Sequence, residues 1–278
     1  MARSLVWLIF ALGFAAGGSA RGQDAPPADS VVWKKVHASV FDNAPLEAAD
    51  NTLTLEIPKR AEDAAVVPVA IRSRFPQTKE RSIDKIWLIV DNNPSPVAAV
   101  FNFTLESGRA DIETRIRIEE YTYVRAVALT NDGKLHMAVA YVKASGGCSA
   151  PAGKDAIAAN ANLGKMRFRV VDALETGRPT AAQLMISHPN DSGLAMDQVT
   201  RTYATPHFVR NVEVRYGGNL VMSADVDFSI SENPNFRFYF VPTTDDELDA
   251  KVVDNQDLQF AARLKLDSSR SSTFSTSR

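Results

Sequence analysis

The sequence of 278 residues contains a single cysteine, Cys148, so no internal disulfide can form. It has four histidines, and its 31 Lys and Arg residues nearly balance its 33 Asp and Glu residues. This balance gives no electrostatic support for binding nucleic acid or an acidic membrane surface. No Walker loop, zinc-ligand spacing, haem-attachment motif or Gly-x-Ser-x-Gly motif occurs. No cofactor or metal is therefore expected, and an enzyme is not indicated.

Apolar runs of membrane-spanning length are lacking, and the longest apolar run lies near the N-terminus. Residues 5–16 are nearly all apolar, follow Arg3, and lead into the small residues 17–20. This layout predicts a secretory signal peptide over residues 1–20, with a buried N-terminal helix as the alternative. Residues 21–30 include two prolines and no periodicity, which is typical of a flexible leader. The mature protein is expected to be soluble and periplasmic.

Alternating apolar and polar residues dominate the sequence after residue 50. Each segment is of strand length, rich in β-branched and aromatic residues, and bounded by turn formers. The Asn93–Pro96 corner and the Asp132–Gly133 hairpin turn separate strands in the first half. The spacing predicts an immunoglobulin-like sandwich over residues 31–145. Its strands are predicted at residues 53–57, 64–71, 83–90, 97–105, 110–118, 121–129 and 135–142.

A second series of strands follows a stretch rich in small residues. Gly and Ala dominate residues 146–163, which are predicted to form a linker that bears the cysteine. The fold class is therefore all-β, with two immunoglobulin-like β-sandwich domains in tandem, the second over residues 164–267 and followed by a disordered Ser/Thr-rich tail over residues 268–278. The strands of the second domain are predicted at residues 166–171, 181–186, 208–216, 220–230, 236–241 and 248–253.

The residues around Cys148 do not resemble the surroundings of a core cysteine. Free cysteine is usually buried, but residues 144–153 include no large apolar side chain. Gly146 and Gly147 precede the thiol and are expected to give the backbone freedom. The pattern favours a mobile arm that presents an exposed thiol, which attacks disulfides and persulfides as the thiolate. A thiol oxidoreductase is disfavoured because no second cysteine is present.

The same segment resembles the carrier cysteine of SoxY, a protein of the Sox sulfur-oxidation system. The first half resembles SoxY further at residues 66–69, 90–96, 114–117 and 124–128. The second half resembles SoxZ at residues 186–189, 193, 206–209, 229–234 and 254–255. The sequence is thus similar to a fused SoxYZ-like carrier of the kind associated with quinoprotein dehydrogenases, and the resemblance covers nearly the whole mature protein.

The resemblance implies that the two domains pack on each other and that Cys148 carries a sulfur-containing group by covalent attachment. The implied partners are periplasmic redox enzymes, either of the Sox type or quinoprotein dehydrogenases. An alternative function is a non-covalent accessory protein of a periplasmic quinoprotein (PQQ) alcohol dehydrogenase, for which the cysteine is dispensable.

Other polar residues give weaker indications. A copper site needs histidine and a weak methionine ligand beside the cysteine, but His136 and Met137 are predicted on opposite faces of a strand. His188 is expected to fix a turn by hydrogen bonding, and His207 to be a packing position. Glu119 and Glu120 are expected to be solvated turn charges.

Overall fold

The computed structural model describes residues 29–150, 161–196, 201–243 and 246–266. The predicted signal peptide, the leader up to residue 28, residues 151–160 of the linker and the predicted tail lie outside the described residues. In the described part of the chain, no helix is long and apolar enough to span a membrane.

The described chain is nearly all β, as predicted, with one short α-helix and a single 3₁₀ turn, Leu105–Ser107. The elements of the first half are α1 (Val31–Phe41), β1 (Leu46–Ala48), β2 (Leu53–Glu56), β3 (Val67–Ser73), β4 (Ile83–Val90), β5 (Val97–Phe103), β6 (Ile112–Ile116), β7 (Thr122–Thr130) and β8 (Leu135–Val142). Those of the second half are β9 (Met166–Val170), β10 (Thr180–Ile186), β11 (Val209–Tyr216), β12 (Asn219–Val226), β13 (Asn235–Phe240), β14 (Glu247–Asp254) and β15 (Gln259–Lys265).

Turn chemistry sets the hairpins of both halves. β7 and β8 pair antiparallel across the predicted turn, in which Gly133 has φ +81°. β11 and β12 pair across Gly217 and Gly218, whose φ angles are +54° and +79°. Consecutive positive φ angles give the turn the twist of the flanking strands, which explains the paired glycines.

The two halves share both of their sheets. A nine-stranded sheet has the order β1-β8-β7-β4-β5-β12-β11-β14-β15, and a six-stranded sheet has the order β2-β3-β6-β13-β10-β9. β5 of the first half pairs antiparallel with β12 of the second, from Phe103 opposite Met222 to Ala99 opposite Val226. β6 meets β13 in the other sheet, where Glu113 lies opposite Arg237.

One apolar core fills the space between the two sheets and runs through both halves. Phe101 of β5 and Phe236 of β13 are fully buried and pack edge to face, with ring centroids 6.2 Å apart. Burial of side chains of this size contributes about 1.5–3 kcal/mol each. The pairing of β5 with β12 and of β6 with β13, together with the core behind it, is called the seam below.

Helix α1 was not predicted from the sequence. Ser30 caps it by accepting a hydrogen bond from the Trp33 amide (3.1 Å). Its buried side chains Trp33, Val36 and Phe41 cover Ile89 and Val127 on the outer face of the nine-stranded sheet. The helix thereby shields a patch of sheet that would otherwise be apolar and exposed.

A buried ion pair lies under this helix. Arg125 donates to Asp91 from Nε (2.8 Å) and Nη2 (2.7 Å), and both side chains are almost fully buried. The Arg125 guanidinium also stacks 4.0 Å from the Trp33 ring centroid. The bidentate hydrogen bonds to Asp91 and the contact with the Trp33 ring offset the lost hydration of the Arg125 charge.

Candidate functional site at the cysteine segment

Residues 144–150, called the cysteine segment here, follow β8 and pack against the seam. Cys148 is only 1% exposed. The sequence-based prediction of an exposed thiol is therefore wrong for this structure. The residues that bind this segment by hydrogen bonds come from distant parts of the chain, so the small neighbours of Cys148 in sequence gave no sign of them.

Backbone hydrogen bonds dock the start of the segment. The Gly146 amide donates to the Glu119 carbonyl (2.8 Å), and the Gly147 amide donates to the Ile118 carbonyl (2.9 Å). Gly146 adopts φ +84°, which glycine tolerates without strain. A Cβ at Gly147 would overlap the carbonyl oxygen of Ala64 and lie 2.8 Å from the Ile118 nitrogen. In this structure the two glycines therefore allow close docking, whereas the sequence had suggested that they serve flexibility.

The Glu119 carboxylate holds the segment at the cysteine itself. Its Oε2 accepts hydrogen bonds from the amides of Cys148 (2.8 Å) and Ser149 (3.1 Å). Its Oε1 accepts a third from the Ser149 hydroxyl (2.8 Å). Glu119 is thus a binding partner of the cysteine segment, and the prediction of a solvated turn charge was wrong. Glu120 is exposed, in agreement with that prediction.

The second half of the chain supplies another contact to the cysteine. The Ser192 hydroxyl donates to the Cys148 carbonyl over 2.6 Å. Ser192 is buried and also accepts from the Leu194 amide (3.1 Å). The backbone of Cys148 is therefore held from both sides of the seam.

The electrostatic surroundings favour the neutral thiol. Burial, reinforced by the negative charges of Glu119 and Asp227, raises the pKa of the Cys148 thiol to about 12, against the opposing effect of Arg117. Because the thiolate is the reactive form, the docked sulfur is a poor nucleophile.

Arg117 is the cation that opposes the rise in the pKa of the thiol, and its guanidinium makes hydrogen bonds of its own. It is buried, and its Nη1 donates to the carbonyls of Asn190 and Phe228, the latter at 3.1 Å. Burial lowers the pKa of the Arg117 guanidinium, while Cys148 and Asp191 act in the opposite direction. Arg117 therefore ties β6 to loops of the second half beside the thiol.

Asn93, in the predicted corner at residues 93–96, organises the strand end that carries these residues. Its side chain donates to the Arg117 carbonyl (2.8 Å) and to the Ser229 hydroxyl (3.0 Å). Its Oδ1 accepts from the Glu119 amide (2.9 Å). A single buried amide thus positions Arg117 and Glu119 together.

His188, His207 and Asp254 form a second polar cluster, and their ligand atoms lie within 4.8 Å of one another. The His207 Nε2 is 2.8 Å from Asp254 Oδ2, and the His188 Nε2 is 3.5 Å from the same oxygen. His188 Nδ1 accepts from the Asn190 amide (3.1 Å), so this histidine does fix a turn. His207 has a hydrogen-bonding role in addition to the predicted packing.

The tautomer of His188 bears on whether this cluster suits a metal. With Nδ1 accepting a hydrogen bond, the proton of the neutral ring is on Nε2, where a ligand would need a lone pair. Burial and the nearby His207 lower the pKa of His188 to about 4. The hydrogen bond between His207 and Asp254 therefore holds the cluster together, while the buried Nε2 of His188 makes none with any described residue.

Each of the residues weighed for copper lies near a charged side chain of the first half. His136 and Met137 are neighbours on β8. His136 lies 3.7 Å from the Glu47 carboxylate, and the Met137 sulfur accepts from Arg125 at 3.7 Å.

Comparisons with known proteins match both halves of the chain. Residues 37–148 match the family model "Sulfur oxidation protein SoxY", and residues 166–265 match "Sulphur oxidation protein SoxZ". The first match ends at Cys148. None of the curated protein sequences compared with the chain matches it.

Several solved structures match part or most of the chain. The sulfur carrier protein SoxY from Chlorobium limicola f thiosulfatophilum is 25% identical, covering 40% of this chain and 90% of that one, with a TM-score of 0.34. A superoxide reductase (neelaredoxin) from Ignicoccus hospitalis is 16% identical over 33% of this chain and 79% of that one (TM-score 0.30). Fibronectin(III)-like modules of Clostridium thermocellum CbhA are 9% identical over 80% of this chain and 98% of theirs (TM-score 0.22).

Both matches place the chain among the carrier proteins of sulfur oxidation. It belongs to the fused SoxYZ-like family, with a SoxY domain followed by a SoxZ domain in one polypeptide.

Proposed function

We propose that this protein is a periplasmic carrier that holds a sulfur-containing group covalently on Cys148 and presents it to partner redox enzymes. The observation that carries the proposal is the position of the single cysteine, which lies at the seam between a SoxY and a SoxZ domain and is held by both. No other thiol in the chain competes for the role.

The attachment chemistry needs no oxidant. The Cys148 thiolate attacks the R-bearing sulfur of a donor R–S–S–R′, where R is an organic group in a disulfide and hydrogen in a persulfide, forming Cys148–S–S–R and releasing R′–S⁻. The thiol proton passes to solvent, and a second exchange of the same kind transfers the group onward. Each step exchanges one S–S bond for another.

The docked thiol is buried and neutral, so this chemistry requires the cysteine segment to leave its site. The interactions that hold it include hydrogen bonds with Glu119 and Ser192, the backbone hydrogen bonds of Gly146 and Gly147, and the burial of Ala144 in the apolar core. Bonds of this kind contribute about 0.5–3 kcal/mol each, which is compatible with local opening without global unfolding.

The test is the intact mass of the mature protein purified from its native host, measured with and without reductant. We expect a reductant-labile mass increment that maps to Cys148, and its size identifies the cargo. The same measurement gives the N-terminus, which we expect at about residue 21 if the signal peptide is cleaved.

The Cys148→Ser variant provides the matched control. It should fold normally, lack the increment and fail to support function in cells. A bare thiol in the native protein, with full function of the variant, would favour the alternative of a non-covalent accessory protein of a quinoprotein dehydrogenase.

A further inference from the structure

Glu119 and Ser192 bind the backbone of the cysteine rather than its sulfur. Glu119, in the bend that follows β6 of the SoxY domain, accepts from two successive amides and from the Ser149 hydroxyl. Ser192, from the SoxZ domain, donates to the carbonyl of Cys148. None of these hydrogen bonds involves the sulfur, so a change in the chemical state of the sulfur does not itself remove any of them.

We propose that Glu119 and Ser192 are positioning residues that form a latch, which closes the unloaded thiol against the seam and opens when the sulfur becomes negatively charged. The proposal rests on the carrier function, but the latch can be tested on the bare thiol. Closing protects the empty carrier from stray oxidants, and opening exposes the loaded carrier to its partners.

The strength of the latch resides mainly in Glu119. Three hydrogen bonds to an ionised carboxylate are charge-assisted, and such bonds are roughly twice as strong as neutral ones. Ser192 adds one neutral bond from the opposite side. Glu119 also lies upstream of the segment on a strand end fixed by Asn93, so the carboxylate stays in place when the segment leaves.

The same carboxylate makes the latch sensitive to charge. The cysteine is shielded from water. The negative charges of Glu119 and Asp227 disfavour a negative charge on its sulfur, whereas the positive charge of Arg117 favours one. Arg117 already donates to the carbonyls of Asn190 and Phe228. A neutral thiol fits this site, whereas a negative charge on sulfur loses its water and meets a nearby carboxylate.

The first experiment measures the rate at which a neutral maleimide labels Cys148 in the folded full-length chain. The rate of the denatured chain supplies the intrinsic reactivity, so the ratio reports the open fraction. We expect Glu119→Ala to label at least about tenfold faster than wild type, because several hydrogen bonds are lost. Glu119→Gln should lie between them, since the amide keeps an acceptor but removes the charge, and its pH profile should move to lower pH. Ser192→Ala should show a smaller increase.

Glu120→Gln is the matched control, because Glu120 is the exposed neighbour of Glu119. It should label at the wild-type rate. The thermal midpoints of all variants should agree within a few degrees, which separates the latch from a general loss of stability. Equal labelling rates of wild type, Glu119→Ala and Glu119→Gln would overturn the latch.

The second experiment compares adducts of similar size and different charge on Cys148. Methanethiosulfonate reagents carry either a sulfonatoethyl or a hydroxyethyl group. The thiolate attacks their sulfenyl sulfur, the S–S bond to the methanesulfonyl group breaks with release of methanesulfinate, and a mixed disulfide to Cys148 forms. Hydrogen exchange of the Cys148 and Ser149 amides then reports whether Glu119 still holds them.

The anionic adduct should exchange these amides faster than the neutral one in wild type, and the difference should shrink in Glu119→Gln. Equal exchange with both adducts would overturn the charge sensitivity. These results are independent of whether the native protein carries sulfur, so a bare thiol in the native mass spectrum and a failed latch are separate outcomes.

Discussion

The SoxY and SoxZ domains meet in two regions that differ in what holds them. At the seam, continuous strand pairing between β5 and β12 backs onto a shared apolar core. At the cysteine segment, the hydrogen bonds come from the Glu119 carboxylate, the Ser192 hydroxyl and the backbone carbonyls of Ile118 and Glu119. Separating the strands at the seam requires global unfolding, whereas the cysteine segment can detach by losing individual hydrogen bonds. The proposed carrier function needs both, because the domains must stay joined while the cysteine segment leaves its site.

The largest effect is expected from a substitution at the seam. Phe101→Ala removes a fully buried ring that packs on Phe236 across the domain boundary, which should cost about 3–5 kcal/mol of unfolding free energy. Urea unfolding followed by tryptophan fluorescence measures the loss. Tyr203→Ala, at a residue that is 66% exposed, is the control and should change stability by less than about 0.5 kcal/mol. Similar losses of unfolding free energy in both variants would show that packing at the seam contributes little to the stability of the fold.

An intermediate effect is expected from acid. The pKa of His188 is lowered to about 4, below its ordinary value of 6.5, so the unfolded chain binds more protons between these values. Stability should therefore be full above about pH 6.5 and fall by about 1–3 kcal/mol as the pH approaches 4.

The comparison for this prediction is His188→Asn, whose side-chain oxygen can still accept from the Asn190 amide. Between pH 7 and pH 4.5 its urea midpoint should fall less than that of wild type. An equal fall in the two proteins would assign the acid sensitivity to other groups.

The smallest effect on global stability, but a large local one, is expected at Gly147. A methyl group there overlaps the Ala64 carbonyl, and the cysteine segment can avoid the overlap by undocking. Gly147→Ala should therefore label much faster with maleimide, while its unfolding free energy changes by less than about 1 kcal/mol. Gly146→Ala meets no atom within 4 Å and adds only the strain of its positive φ, so its labelling should rise less.

Much of the fold followed from local sequence patterns. The alternation of apolar residues predicted β4 and β8 with their observed bounds, and paired glycines marked the hairpin between β11 and β12. Helix α1 was missed because it follows a proline-rich stretch and has only three buried residues. β15 was missed because it is an edge strand whose residues are all exposed or half-buried.

The surroundings of the cysteine could not be predicted in the same way. Cys148 was singled out correctly as the one thiol, but Glu119 and Ser192 lie 29 and 44 residues away in sequence. Small flanking residues are equally compatible with a mobile segment and with one that packs tightly against the protein. Only the topology, which brings the end of β6 beside the loop at Ser192, distinguishes these possibilities.

The continuity of the two sheets has a consequence for any divided form of this polypeptide. If the domains were produced as separate chains, β5 and β12 would each become an unpaired edge beside an open half of an apolar core. Each half would then expose an edge strand that can pair with other chains, and the other half would be the most complementary partner for it. Split halves should thus reconstitute one another when co-expressed and aggregate when made alone, a property that makes this fold a natural fragment-complementation pair.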